Sequence, residues 1–198
     1  MPDAVQMREP ITLKRDVDAI QIPYGEHVKL PAGTIVTIHQ VLGGNFTVVT
    51  ERGHMVRIDS WDVEALGEAG KLAQKDAAYT PPPKADPQAP VTKEGVVKAV
   101  WDQLKTCYDP EIPVNVVELG LVYEVLVEPH PSGEGFAVDV KMTLTAPGCG
   151  MGPVLQMDAV AKLNSIPGVK RANVEIVFDP PWDREMMSDA AKLQLGMM

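Results

Sequence analysis

The sequence predicts an α+β protein in which a C-terminal α-β-β-α-β-α sandwich domain follows a small all-β, SH3-like barrel domain. Five prolines crowd the 17 residues from Asp76 to Thr92. Ahead of them, apolar residues come in short runs broken by turn chemistry. Behind them, helical spacing alternates with strand spacing. The predicted boundaries are 1–75 for the β domain, 76–92 for a proline-rich linker and 93–198 for the αβ domain. Proline-dense segments favour extended, semi-stiff conformations, and structureless loops of this length are uncommon inside compact domains.

In the first domain, strand-like runs at Ala19–Ile22, Thr34–Val41, Phe46–Thr50 and Met55–Ile58 alternate with turns at Pro23-Tyr24-Gly25, Gly43-Gly44-Asn45 and Arg52-Gly53. Glycine supplies the positive φ angles that tight hairpins need. Closely spaced short strands over some 60 residues suggest a small barrel. His27, His39 and His54 alternate with apolar neighbours and read as wall residues rather than ligands.

After the linker, Thr92 and Glu94 open a helix whose Val96, Val97, Val100, Trp101, Leu104, Cys107 and Tyr108 share one face. Two strands follow, near Leu121–Val127 and Phe136–Thr145, joined by a hairpin loop at 130–135. The second alternates strictly, with Phe136, Val138, Val140, Met142 and Leu144 on one side, the pattern of a sheet with one covered face. A second helix starts near Pro153 and ends at Ile166-Pro167-Gly168. A third strand lies near Ala172–Phe178, and a short helix capped by Ser188 closes the chain.

Composition narrows the function. The formal charge is −9, and residues 76–198 hold 10 basic and 17 acidic side chains. Such a surface repels phosphate backbones, which argues against nucleic acid. No apolar run is long enough to cross a bilayer, and the start MPDAVQMREPITLKRD lacks the features of a secretory signal. The expected location is the cytoplasm, away from membranes.

Two cysteines occur, Cys107 and Cys149, with no CxxC and four scattered histidines. One chain therefore cannot build a disulfide framework, a zinc site or a four-cysteine iron–sulfur site from these residues. Cys149 sits in Thr145-Ala146-Pro147-Gly148-Cys149-Gly150-Met151-Gly152-Pro153, between a strand end and a helix start. Free N–H groups and the positive end of a helix favour a thiolate there, lowering the thiol from its usual pKa of about 8.5. A small apolar filler is the alternative, and position alone leaves both open. Cys107 falls on an apolar helical face and reads as a buried structural thiol. Asp109, Glu111 and Glu118 are three carboxylates in ten residues. They are candidate ligands or partner contacts, although Asp109 and Glu111 more simply hydrogen-bond the backbone of a proline-stiffened turn.

Four stretches together resemble one family: DPEIPVNVVELGLVYEV (109–125), KMTLTAPGCGMG (141–152), IPGV (166–169) and FDPPWDREMMSDAAKLQLG (178–196). Residues 93–198 resemble the small αβ domain associated with iron–sulfur cluster assembly, and the β-rich extension before a proline linker resembles SufT-like members. Gly150 departs from the proline that many relatives carry after the cysteine.

The resemblance implies an accessory, non-enzymatic role in assembling iron–sulfur clusters or delivering them to client proteins through Cys149. It implies Thr145, Asp109 and Glu111 near that sulfur, with Cys149, Asp109 and Glu111 as metal contacts and Thr145 donating a hydrogen bond. It implies a transient cluster or iron, none held stably by one chain. The partners it implies are assembly proteins and client apo-proteins, with a homo-oligomer as a further option. Three rival readings stand beside it. They are a thiol-dependent enzyme, whose only histidine in this domain is His130, a metal-free adaptor or scaffold, and an accessory protein of a phenylacetyl-CoA oxygenase-type system.

Overall fold

The computed structural model describes residues 9–77, 91–109, 112–148 and 150–197. The packing divides the chain into two units, 1–81 and 82–198. Residues 78–90, most of the proline-rich segment, lie outside the described residues, as do Glu111 and Cys149. No described helix is long and apolar enough to cross a membrane.

The first unit is built on six antiparallel strands: β1 (Pro10–Thr12), β2 (Val17–Gln21), β3 (Glu26–Leu30), β4 (Ile35–Leu42), β5 (Asn45–Thr50) and β6 (Met55–Ile58). Their order in the sheet is β1-β4-β5-β6-β2-β3. Gly43 and Gly44, both at positive φ, make the tight β4–β5 turn that the glycine pair predicted. Val36, Ile38, Phe46, Val48, Val56 and Ile58 are buried beneath the sheet.

This unit is not all-β, which corrects the sequence reading. A 3-10 turn at Ser60–Leu66 leads into α1 (Gly67–Asp76), whose Gly70 and Ala73 are buried. Gln74 Nε2 anchors the helix to the Gly44 carbonyl at 2.8 Å. The helix was hidden because its sequence, GEAGKLAQKD, holds two glycines, which weaken helices, and few apolar side chains to mark a face.

The second unit runs α2 (Lys93–Leu104), β7 (Val122–Pro129), β8 (Phe136–Met142), α3 (Gly152–Asn164), β9 (Val169–Ile176) and α4 (Asp189–Gln194). The three strands lie in the order β7-β8-β9, with β7 antiparallel and β9 parallel to β8. Thr92 caps α2 by accepting from the Gly95 N–H at 3.1 Å, and Ser188 caps α4 by accepting from the Ala191 N–H at 3.1 Å. Both caps stand where the sequence placed them.

Val125, Val127, Val138, Val140 and Val174 turn one face of the sheet toward the apolar core, which holds Val100, Leu104, Leu119, Leu121, Leu155 and Leu163. Burying each leucine stabilises the unit by roughly 1.5–3 kcal/mol, so this layer dominates its folding. The other face is polar. Lys141 Nζ pairs with Glu124 at 2.7 Å, and Arg171 with Asp139 at 2.9 Å. The hydrogen bond and charge of Glu124 hold the Lys141 ammonium above its ordinary pKa, with Glu175 adding to the effect.

Candidate functional site

The candidate site lies at the end of the sheet where β8 exits. The backbone there forms a ladder that draws in the turn after α2. Cys107 O accepts from Val116 N at 2.9 Å, Val116 O from Leu121 N at 3.0 Å, and Leu121 O from Thr143 N at 2.8 Å. Asp109 and Thr145, 36 positions apart in sequence, each lie two residues beyond an end of this ladder.

Asp109 itself is buried, and its job within the turn is visible. Its Oδ1 accepts from the Ile112 N–H at 2.9 Å, while its own N–H donates to Val114 O at 3.3 Å. Asn115 acts in the same way on the next turn, its Oδ1 accepting from the N–H groups of Val117 and Glu118. These are local side-chain-to-backbone bonds of the kind Asp and Asn supply in turns. Removing the acceptor strands a part-buried N–H, which costs about 1–3 kcal/mol. We expect Asp109→Ala to lower the unfolding free energy of the C-terminal unit, read by denaturant titration, by that amount, with Asp109→Asn retaining most of the stability. Equal losses in the two variants would assign the effect to the charge instead.

Beyond β8, Thr143 and Leu144 are buried and Thr145 is half-buried in a bend. Thr143 Oγ1 is a buried hydroxyl with no hydrogen-bond partner among the described residues, a feature that spacing alone did not signal. Residues 146–148 and Gly150 are exposed, and Gly148 adopts φ +82° with open space around the position a Cβ would take. Leu144 packs against the start of α3, where a Cβ on Gly152 would lie 2.6 Å from Leu144 Cδ1. The N-terminus of α3 has no side-chain cap and no acidic residue in its first turn. Within its own cap and first turn, its positive end therefore has no compensating side chain.

The C-terminal stretch clamps the other side of the ladder. Trp182 Nε1 donates to Leu119 O at 2.8 Å, and Ser188 N to Glu118 O at 2.9 Å. The Ser188 hydroxyl donates to the Glu118 carboxylate, and Tyr123 OH to Pro180 O at 2.9 Å. Glu118, grouped by sequence with the acidic candidates, is thus engaged in holding the tail. These contacts join residues 57–70 positions apart, so no local spacing could have announced them.

Cys107 is fully buried, as the sequence suggested, and its thiol donates to Gln103 O at 3.7 Å, but it lies three residues beyond the end of α2 rather than on the helical face that the spacing implied. Cys149 and Glu111 lie outside the described residues. Among the described residues, no three His, Cys, Asp or Glu side chains gather into a metal-holding group. His130 sits in the β7–β8 hairpin, its Nδ1 2.8 Å from Ser132 Oγ, at the opposite end of β8 from Thr143. Seven strand residues span roughly 23 Å, so the structure separates the histidine from the β8 exit.

Comparison with known proteins gives a consistent picture. A profile of the family described as iron–sulfur cluster assembly protein matches residues 97–176. The chain is similar to a protein of Porphyromonas gingivalis named Fe-S protein maturation auxiliary factor, at 44% identity over 107 residues, covering 54% of this chain and 93% of the relative. It is 36% identical over 105 residues to the Fe-S protein maturation auxiliary factor YitW of Bacillus subtilis, covering 53% of this chain and 98% of that protein. It is 44% identical over 89 residues to the Fe-S protein maturation auxiliary factor SufT of Staphylococcus aureus, covering 45% of this chain and 96% of that one.

Proposed function

The chain belongs to the iron–sulfur cluster assembly protein family, and from that premise we propose that it is an accessory factor that assembles iron–sulfur clusters or delivers them to client proteins. The observation that carries this reading is the likeness itself. Three relatives named as maturation auxiliary factors match nearly their whole lengths. The family profile falls within the unit that contains the Thr145–Gly152 loop.

In this reading Cys149 is the working residue. Its thiolate is a soft iron ligand, and the uncapped positive end of α3 three residues later favours that ionised form. The exposed neighbours on either side support access by another protein. Thr145 supplies a hydrogen bond to the sulfur, and Asp109 and Glu111 shape the adjoining turn or meet iron. The cluster or iron is cargo, bound briefly. A single cysteine leaves the remaining ligands to the donor or client, and an incomplete shell exchanges more readily than a closed four-cysteine one. The role is non-enzymatic and cytoplasmic, and its partners are assembly proteins and client apo-proteins. The N-terminal unit, read as an SH3-like barrel joined through a linker at 76–92, serves as a separate module.

The two thiols should differ sharply. Cys107 has no exposed surface and a hydrogen-bonded sulfur, so a neutral-pH alkylating agent should label Cys149 at least tenfold faster. Mass spectrometry of partially labelled protein reads the ratio. Equal rates, or a faster Cys107, would remove the basis for a thiol-centred function. The function itself is tested in a strain lacking its own copy, grown under iron limitation. The full-length chain should restore a cluster-dependent dehydratase such as aconitase. Failure of a soluble, folded chain to restore it would reject the maturation role.

A further inference from the structure

The two edges of the C-terminal sheet are treated differently. On β9, the Ala172 N–H donates to Asn164 Oδ1 at 3.0 Å and the Val174 carbonyl accepts from Gln156 Nε2. Both side chains come from α3, so the helix plugs the polar groups that an added strand would need. The opposite edge, β7, has no such plugs. Among the described residues, no side chain bonds to the backbone of Val122–Pro129, and only the Tyr123 hydroxyl at its start is taken up by the C-terminal tail.

We propose that the free edge of β7, from Glu124 to Pro129, accepts an extended segment of another protein as a fourth strand, and that this segment carries lysine or arginine. The recognition chemistry follows from the alternation along β7. Glu124, Leu126 and Glu128 are exposed on the open face, while Val125 and Val127 turn toward the core. A strand laid beside them therefore meets a carboxylate, three apolar side chains and a second carboxylate in succession. Its matching order is basic, apolar, apolar, apolar, basic, because opposite charges directly across strands are favourable and like charges are not.

Leu126 is 44% exposed, a large apolar surface to leave in water in the middle of a strand. Glu124 already shares its charge with Lys141, but Glu128 has no ion-pair partner among the described residues. A second copy of this chain fits poorly. β7 contains two carboxylates and no cation, so a two-fold β7–β7 pairing sets Glu124 against Glu128 when centred on Leu126, or a glutamate against an apolar side chain one register away. On the open face beyond, Asp139 and Glu175 are balanced by Lys141 and Arg171, so the acidic excess of this face sits on β7 itself. This edge is distinct from the Thr145–Gly152 loop, and the inference holds whether or not Cys149 meets metal.

The test uses the full-length chain, isotopically labelled, titrated with the peptide Thr-Lys-Val-Leu-Val-Lys-Thr without iron or sulfide. Saturable amide shifts and slowed hydrogen exchange should centre on Val122–Pro129 and leave β9 unchanged. The same peptide with glutamate in place of both lysines should bind about tenfold more weakly. Glu128→Lys should weaken the lysine peptide and strengthen the glutamate one, a reversal that loss of folding cannot produce. No saturable change at millimolar peptide, shifts centred on β9, or binding indifferent to the charge swap would each overturn the proposal.

Discussion

Gly120→Ala should unfold the C-terminal unit at a temperature about 12–20 °C lower than wild type, a loss of about 3 kcal/mol for a domain of this size. Gly120 has φ +70°, and a Cβ built there would lie 2.1 Å from the Met186 carbonyl oxygen and 2.7 Å from its carbon. The clash is with backbone, so no rotamer change relieves it. The left-handed conformation alone costs a non-glycine residue roughly 1–2 kcal/mol, and overpacking typically adds about 1–3. The displaced segment is the one that holds Trp182 against Leu119 and Ser188 against Glu118, with Met187 and Ala191 buried behind it. Gly148→Ala is the matched control. It has a similar φ of +82° but open space around it, so it should lose only the conformational part. Thermal unfolding followed by tryptophan fluorescence compares the two, and equal small shifts would mean that the tail does not clamp the loop.

Cys149→Ser should leave that unfolding temperature unchanged and abolish support for cluster-dependent enzymes. The substitution is nearly isosteric, and the residues on either side of it are exposed rather than packed. A serine hydroxyl stays protonated at neutral pH and is a hard donor, so it replaces neither the thiolate nor its affinity for iron. Asp109→Asn and Glu111→Gln should give partial defects if the carboxylates only shape the turn, and near-complete ones if they meet iron. The bond from Ile112 N–H to Asp109 already gives one of them a structural role. Normal aconitase activity with a folded Cys149→Ser protein would leave a metal-free adaptor in place of the thiol mechanism.

The parts of the fold that the sequence announced are those whose cause is local. Val96, Val100 and Leu104 mark the buried face of α2, and Thr92 marks its start. The alternation from Phe136 onward marks β8, although that strand ends at Met142 because Thr143 and Leu144 turn inward beneath the exit loop. The third strand begins at Val169, three residues before its apolar pattern becomes evident, because pairing with β8 rather than propensity sets its start. The site was legible by chemistry but not by geometry. The family motifs drew attention to Asp109, Glu111 and Thr145 together, and the clustering of carboxylates added Glu118. The structure fixes Asp109 as a turn former and Glu118 as a tail anchor, with residues 146–148 and Gly150 exposed beyond β8. The ladder from Cys107 to Thr143 and the contact of Gly120 with Met186 depend on residues far apart in the chain, so no window of sequence contains them.

The most direct measurement of the central claim is anaerobic reconstitution of the full-length protein with iron and sulfide, read by visible absorption and Mössbauer spectra beside Cys149→Ser. Wild type should develop the sulfur-to-iron charge-transfer bands and iron signal of a cysteine-ligated species, and the variant should not. Identical spectra from the two proteins, whether both carry iron or neither does, would contradict a function centred on Cys149.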